Sequence, residues 1–273
     1  MSKHNSTQNR HCAIVTGASS GIGYEFARQL AEAGCTIIAV SNEYDRLEAL
    51  SEDFKVRYSG VETYLIFMDL ARTEAAEELY ARVAELGLKP DILINNAGMF
   101  FFEQFQSVDT ARIETMLQLH VGTTTRLCRL FGADMCRRGE GYILNMSSIC
   151  AFMPNPGLHL YAATKEYVRS FTKSIWYDLR PYGVSATALC PGGVATSLYN
   201  FPPRLVRRLV KIGIFTTPER LARRGLKAMF SRRRVVVTGF GSRFGIALVA
   251  VLPSWVRFKV IARVYGKSRH NDR

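Results

Sequence analysis

The chain has 273 residues, 48% hydrophobic and 22% charged, long enough for one large domain with a buried core and too apolar for a disordered polypeptide. Its six cysteines lack C-x-x-C or Cys/His metal spacing, and several lie in apolar segments, so no metal is expected and a reducing, cytosolic setting is. The formal charge of +13 has one origin: residues 1–200 carry 18 Lys+Arg against 21 Asp+Glu, and residues 201–273 carry 18 against 2. Any partner of that charge must engage the C-terminal quarter.

Residues 1–10, MSKHNSTQNR, are expected to be a flexible terminus with no apolar run after it. Near the other end the longest apolar stretch, Ile246 to Leu252, is about a third of the ~20 residues that a membrane span needs. The expectation is a protein neither secreted through a standard signal nor threaded through a membrane as a helix. Between the ends, apolar β-branched runs alternate with helix-period segments. CAIVTG precedes a helix from Ile22 to Gly34, CTIIAV one from Tyr44 to Tyr58, TYLIFMDL one from Glu74 to Leu86, and DILINNAG a long segment to Arg138. GYILNMSS then precedes a helix from Tyr161 to Tyr182, VSATALCPGG precedes a basic segment, and RRVVVTG is the last strand. This alternation predicts an α/β fold, a doubly wound, seven-stranded parallel sheet with helices on both faces. The domain spans residues 11–240, with a substrate lid over 197–216 and a basic, apolar extension over 241–273.

In such a sheet the ligand sits at the carboxyl ends of the strands. Thr16-Gly-Ala-Ser-Ser-Gly-Ile-Gly23 occupies one of those ends, where glycines at 17, 21 and 23 allow a tight turn and free N–H groups at a helix N-terminus favour a pyrophosphate. A second glycine set, Gly239, Gly241 and Gly245, has G-x-G-x-x-x-G spacing after the sheet is complete and reads as a turn.

Five motifs follow one another: T-G-x-x-x-G-x-G at Thr16 to Gly23, N-N-A-G at Asn95 to Gly98, a serine at 148, Y-x-x-x-K at Tyr161 to Lys165, and P-G-x-x-x-T at Pro191 to Thr196. Together they resemble the short-chain dehydrogenase/reductase family over about residues 11–240. The resemblance implies a Rossmann-type fold and hydride transfer between a nicotinamide cofactor and an alcohol or carbonyl. It implies cofactor contacts from Gly17, Ser19, Ser20, Gly21, Ile22 and Gly23, from Asn42, from Asn95, Ala97 and Gly98, and from Pro191, Gly192 and Val194. Asp69 resembles the acidic residue beside the adenine, with strand-end capping as its plainer reading, and Thr196 resembles the threonine at the carboxamide.

The chemistry of the residues agrees. Reduction of a ketone leaves an alkoxide, so a proton donor must stand beside the oxygen, and a free tyrosine with a pKa of about 10 is too weakly ionised to work in reverse near neutrality. Lys165, one helical turn after Tyr161 on the same face, supplies a cation that favours the phenolate. By resemblance Lys165 also holds the nicotinamide ribose. Ser148 would hydrogen-bond the carbonyl oxygen and steer it to Tyr161. Tyr161 and Lys165 alone would be an ordinary amphipathic face; Ser148 and the glycine loop make them catalytic. Ser147, fourteen positions before Tyr161, is the alternative hydroxyl. His159 could touch substrate or be a solvated loop histidine.

An acid at the end of the second strand holds the ribose 2′-OH of NAD, and a cation there holds the 2′-phosphate of NADP. Here Ser41 and Asn42 stand at that position, with Glu43 or Arg46 as further candidates for the two roles. NADP(H) is preferred over NAD(H), because small neutral donors tolerate a phosphate and no acid clearly opposes it.

Arg204 to Phe215 places Leu205, Val206, Leu209 and Val210 on one helical face and Arg204, Arg207, Arg208 and Lys211 on the other. That amphipathic segment reads as a lid over the pocket or as a peripheral contact with an anionic membrane. The extension, with Trp255, Arg257, Lys259, Arg263 and Lys267, reads as a helix packed on the core, an interfacial anchor or a homo-oligomer contact. Basic, apolar tails of this kind resemble those of family members acting on hydrophobic ketones or alcohols, so a steroid-like or long 3-oxoacyl substrate is expected. No nucleic-acid motif accompanies the charge.

His120 falls where most relatives carry an asparagine whose backbone orders a water joining the active-site lysine to solvent. A backbone role, with its helix irregularity, can survive with histidine, and an imidazole can itself pass protons near neutral pH. His120 is thus read as a proton-relay residue for Lys165, with a space-filling histidine as the alternative. It is also the strongest support for a second function, a catalytically impaired member that binds nucleotide as a sensor or scaffold.

Overall fold

The computed structural model describes residues 11–153, 155, 157–195, 202–211 and 215–239. Strand β1 (Cys12–Thr16) is buried at every position, with Ala13 and Val15 in one core and Cys12 and Ile14 in the other. Covering both faces of a strand turns its sequence into a continuous apolar run, which is why such runs read as parallel strands. The sequence continues through β2 (Thr36–Ser41), β3 (Thr63–Phe67), β4 (Ile92–Asn95), β5 (Gly141–Met146) and β6 (Val184–Cys190). After a short pair, β7 (Gly193–Val194) and β8 (Phe215–Thr216), the last strand is β9 (Val235–Val237). Seven of them form one sheet in the order β3-β2-β1-β4-β5-β6-β9, and every neighbouring pair is parallel. The expected doubly wound sheet is present. The β7–β8 pair, which joins Gly193 to Phe215 and Val194 to Thr216, is an addition to it.

The helices are α1 (Gly21–Glu32), α2 (Tyr44–Arg57), α3 (Ala75–Glu85), α4 (Thr110–Leu117), α5 (Thr124–Arg138), α6 (His159–Leu179), α7 (Pro203–Lys211) and α8 (Pro218–Phe230). Phe26 and Leu30 of α1, Leu47 and Phe54 of α2, and Leu221 and Met229 of α8 pack on one face of the sheet. Leu79 and Val83 of α3, Leu127 and Phe131 of α5, and Phe171 and Ile175 of α6 pack on the other. Side-chain caps fix two starts: Asp109 accepts from Ala111 N at 3.3 Å before α4, and Thr217 accepts from Arg220 N at 3.3 Å before α8. The long segment expected before Arg138 is broken by a π-helix over Gln118–Thr123, between α4 and α5.

From β1 the chain moves outward to β2 and β3, then returns to β4 on the other side of β1. The crevice at that reversal lies outside the carboxyl ends of β1 and β4. The glycine motif and the Asn96–Gly98 segment therefore meet there.

Along α7, Arg204, Arg207, Arg208 and Lys211 are exposed as the helical pattern predicts, while Leu205 on the apolar face is 41% exposed. Gly239 has φ +93°, in keeping with the turn expected after β9. Gly241, Gly245, the first ten residues and the extension over 241–273 lie outside the described residues. Among those described, no helix is long and apolar enough to cross a membrane. All six cysteines are free thiols.

Candidate active site

Thr16, at the end of β1, ties two crossing segments together. Its Oγ1 donates to Ile94 O at 3.3 Å and accepts from Asn96 N at 2.9 Å and Ala97 N at 3.0 Å. Asn96 returns the brace, Nδ2 donating to Thr16 O at 3.0 Å and Gly17 O at 3.3 Å. The turn itself needs the left-handed backbone of Gly17, φ +64°, and Gly21, φ +56°. A Cβ on Gly23 would stand 1.9 Å from Gly17 O and 2.5 Å from Asn96 Nδ2, so no larger residue fits where α1 crosses the loop. The first turn of α1 then offers N–H groups without intrahelical partners.

This turn opens a cleft of ≈540 Å³ whose walls include Gly17, Ser19, Ser20, Gly21 and Ile22, then Asn42 and Glu43, Asp69, and Ala97 and Gly98. Asp69 lines the cleft, and its Oδ1 accepts from Ala71 N at 2.9 Å just beyond the end of β3. Asn42 is exposed on the wall. Glu43 is the acid that the sequence left undecided: Ser19 Oγ donates to its Oε2 at 2.5 Å, Ser41 Oγ donates to Ser19 Oγ at 2.9 Å, and Arg46 pairs with it at 2.9 Å. A carboxylate therefore lines the cleft just after β2.

Asn95 departs from expectation. Its side chain turns into the core, where Nδ2 donates to Asn145 Oδ1 at 2.8 Å, and Asn145 in turn donates to Thr172 Oγ1 at 2.9 Å. Successive residues of a strand face opposite ways, so Asn95 locks β4 to β5 while Asn96 reaches the cleft. Thr16 and Asn96 are the bracing positions that motif reading passed over. Their signal was present as the Thr of the glycine motif and the second Asn of N-N-A-G.

A recess of ≈80 Å³ continues the cleft, sharing Ile22, Asn96, Gly98 and Met99 with it, and brings Ser148, Tyr161 and Lys165 together with Pro191, Gly192 and Val194. Thr196 lies outside the described residues. Ser148 is 7% exposed, and its Oγ accepts from Cys150 N at 3.1 Å, which leaves the hydroxyl proton to donate. Ser147 also lines the recess, but its hydroxyl is committed to Lys165 O, to which it donates at 2.8 Å, so it anchors α6 beside Ser148. The Lys165 ammonium donates to Met146 O at 3.0 Å and lies 5.6 Å from the centroid of the Tyr161 ring. Burial brings its pKa down to about 8. Phe100 meets the Tyr161 ring edge-on at 5.2 Å. His159 lines an outer cavity with Cys150 and Met153, against Phe105, away from the recess.

His120 is 1% exposed. Its Nε2 accepts from Met99 N at 3.0 Å and its Nδ1 lies 2.9 Å from Thr164 Oγ1. Burial, and then the nearby Lys165 charge, hold its pKa well below the usual imidazole value. The relay expectation is at odds with this geometry, because both ring nitrogens are taken by the protein and the charged form is disfavoured. The helix irregularity is nonetheless retained around it.

Residues 11–201 match the family model described as short chain dehydrogenase. The chain belongs to the short-chain dehydrogenase family. Very-long-chain 3-oxoacyl-CoA reductase of Homo sapiens is 28% identical over 262 residues, 94% of this dehydrogenase and 80% of that protein. The Bos taurus protein of the same name is 30% identical over 254 residues, 91% and 77% of the two chains. A short-chain dehydrogenase from Sphingobium yanoikuyae in complex with NADPH superposes with a TM-score of 0.76 at 26% identity, covering 89% of this dehydrogenase and 97% of that chain. The fold is also that of a bulky-bulky ketone specific alcohol dehydrogenase from Comamonas testosteroni, TM-score 0.73 at 24% identity over 95% and 94% of the chains. This dehydrogenase is accordingly an oxidoreductase on a Rossmann-type fold.

Proposed function

We propose that this dehydrogenase interconverts a ketone and a secondary alcohol on a long or bulky apolar substrate, with Tyr161 as proton donor and acceptor. The observation that carries the reading is the convergence of Ser148, Tyr161 and Lys165 on a recess continuous with the glycine-loop cleft. A sensor or scaffold would have no use for that trio. The apolar substrate is supported by the loop after β4, where Phe100 packs on Tyr161 and Phe102 and Phe105 are 59% and 72% exposed. The names of the human and bovine relatives, which specify a very-long-chain 3-oxoacyl thioester, support it as well.

The residues of the cleft fit a nicotinamide dinucleotide: the crossing at Gly23 excludes a Cβ, Ser20, Gly21 and Ile22 at the start of α1 line the cleft and would hold a pyrophosphate there, and the cleft opens into the recess. When bound, it supplies the hydride. The chain's own residues do the rest. Ser148 donates to the substrate carbonyl oxygen and holds it towards Tyr161, whose phenol gives its proton to that oxygen as negative charge grows there. Lys165 keeps a positive charge beside the phenol, and Met146 O holds the ammonium in place.

Both NADP(H) and NAD(H) are accepted in this reading, with Glu43 setting the ratio. The NADPH-bound relative supports the phosphorylated form; the Glu43 carboxylate favours a free 2′-OH. The cations of α7 support a peripheral contact with an anionic membrane that would present an apolar substrate.

The test is turnover of NADPH and NADH with long-chain 3-oxoacyl thioesters, steroid ketones and small ketones, beside Tyr161→Phe. The expected result is turnover of a long or bulky ketone that the variant loses while still binding nucleotide. Equal, near-zero turnover in both proteins with nucleotide bound would assign the sensor role instead.

A further inference from the structure

The hydrogen bonds around His120 have directions that can be deduced one after another. A backbone N–H can only donate, so Nε2, 3.0 Å from Met99 N, carries no proton. The neutral ring then bears its hydrogen on Nδ1, which donates to Thr164 Oγ1 at 2.9 Å. Thr164 passes its own hydrogen to Tyr161 O, also at 2.9 Å. The series ends on a peptide carbonyl, which hands no proton onward.

We propose that His120 is a positioning residue, a neutral strut that holds the segment after β4 at a set distance from the catalytic turn of α6. The inference rests on Tyr161 and Lys165 being the reacting pair. One end of the strut grips Met99, which lines both the cleft and the recess. The other end reaches Tyr161 twice, through Thr164 to its carbonyl and by an edge-on ring contact, centroids 5.9 Å apart at 75°. Gly98 admits the imidazole, since a Cβ there would stand 3.0 Å from Nε2. The π-helical turn over Gln118–Thr123 carries the ring into this position, and such turns recur at functional sites. The titratable groups facing the ring, Tyr161 and Lys165, both come from α6; from the β4 side it meets the Met99 amide and Gly98. A second cation beside Lys165 is disfavoured, so the strut stays neutral.

Two measurements on the full-length protein test this. A nitrogen–proton NMR correlation of the His120 ring should show the Nδ1–H neutral tautomer, unchanged between about pH 5 and 8. A ring that protonates in that interval, or carries its hydrogen on Nε2, overturns the strut whether or not a ketone is turned over, and so separates this failure from that of the assigned reaction. In kinetics, His120→Ala and Thr164→Val should each lower kcat by about ten- to hundredfold with KM little changed. The double variant should be no worse than His120→Ala alone, because the Thr164 bond is one of the contacts that the His120 substitution already removes. Both should move the Tyr161-dependent limb of the pH profile the same way, and His120→Asn, which can still accept and donate, should restore part of the loss. Unchanged kcat in folded His120→Ala, or a limb that vanishes in His120→Asn but not in Thr164→Val, refutes the strut, the latter in favour of a relay.

Discussion

Asn96 and Gly17, far apart in sequence, are joined by one hydrogen bond, Nδ2 to the glycine carbonyl at 3.3 Å. The end of β4 thereby holds the turn at the end of β1 open. The shape of the phosphate loop depends on a residue outside it.

Asn96→Ala should therefore loosen that turn. With the carbonyls of Thr16 and Gly17 released, stability should fall by about 1–3 kcal/mol, and nucleotide affinity should fall with it. Urea unfolding and nucleotide titration check the two effects, and Asn95→Ala makes the contrast: it should weaken the fold through the Asn145 contact and leave the loop's affinity nearly as it was.

Glu43→Gln removes the negative charge that Ser19 and Arg46 hold in the cleft. The ratio of kcat/KM for NADPH over NADH should rise about tenfold, equivalent to ~1.4 kcal/mol. A ratio that does not move would make Glu43 a solvated helix charge.

Burial lowers the Lys165 pKa in the folded chain to about 8, from an ordinary value of 10.5. Between those values the unfolded chain binds the extra proton, so the cofactor-free protein should gain stability as pH rises through that window. Below it the buried ammonium is a constant cost. Denaturant unfolding at a series of pH values should show this rise in wild type and its absence in Lys165→Met.

On the acid side His120 acts with the same sign. Its folded pKa is lowered, so stability is full above the unfolded value of 6.5 and falls as pH drops below it, where the unfolded chain takes up the proton first. His120→Asn should blunt that loss. Thermal unfolding from neutral to acid pH measures it, and an identical slope in wild type and variant would speak against a buried neutral ring.

The strands were legible in the sequence because each is covered on both faces, so nearly every position of β1 and β6 is apolar or small. Tyr161 and Lys165 were legible because a four-residue step on one helix stays on one face. At Asn95 and Asn96 legibility stops. These adjacent residues of the same type point to opposite sides, Asn95 to Asn145 and Asn96 to the glycine turn, and a linear pattern does not say which side is the cleft.

The sequence by itself determined the sheet and the glycine turn and singled out Ser148, Tyr161 and Lys165, since those rest on local periodicity and on the spacing of short motifs. Tertiary structure alone decided what holds Glu43, which asparagine braces the loop, and what His120 contacts. The reason is physical: Glu43 is held by Ser19, Asn96 by Thr16 and Gly17, and His120 by Met99 and Thr164. Those partners stand 21 to 80 residues away along the chain and become neighbours only when the sheet is assembled.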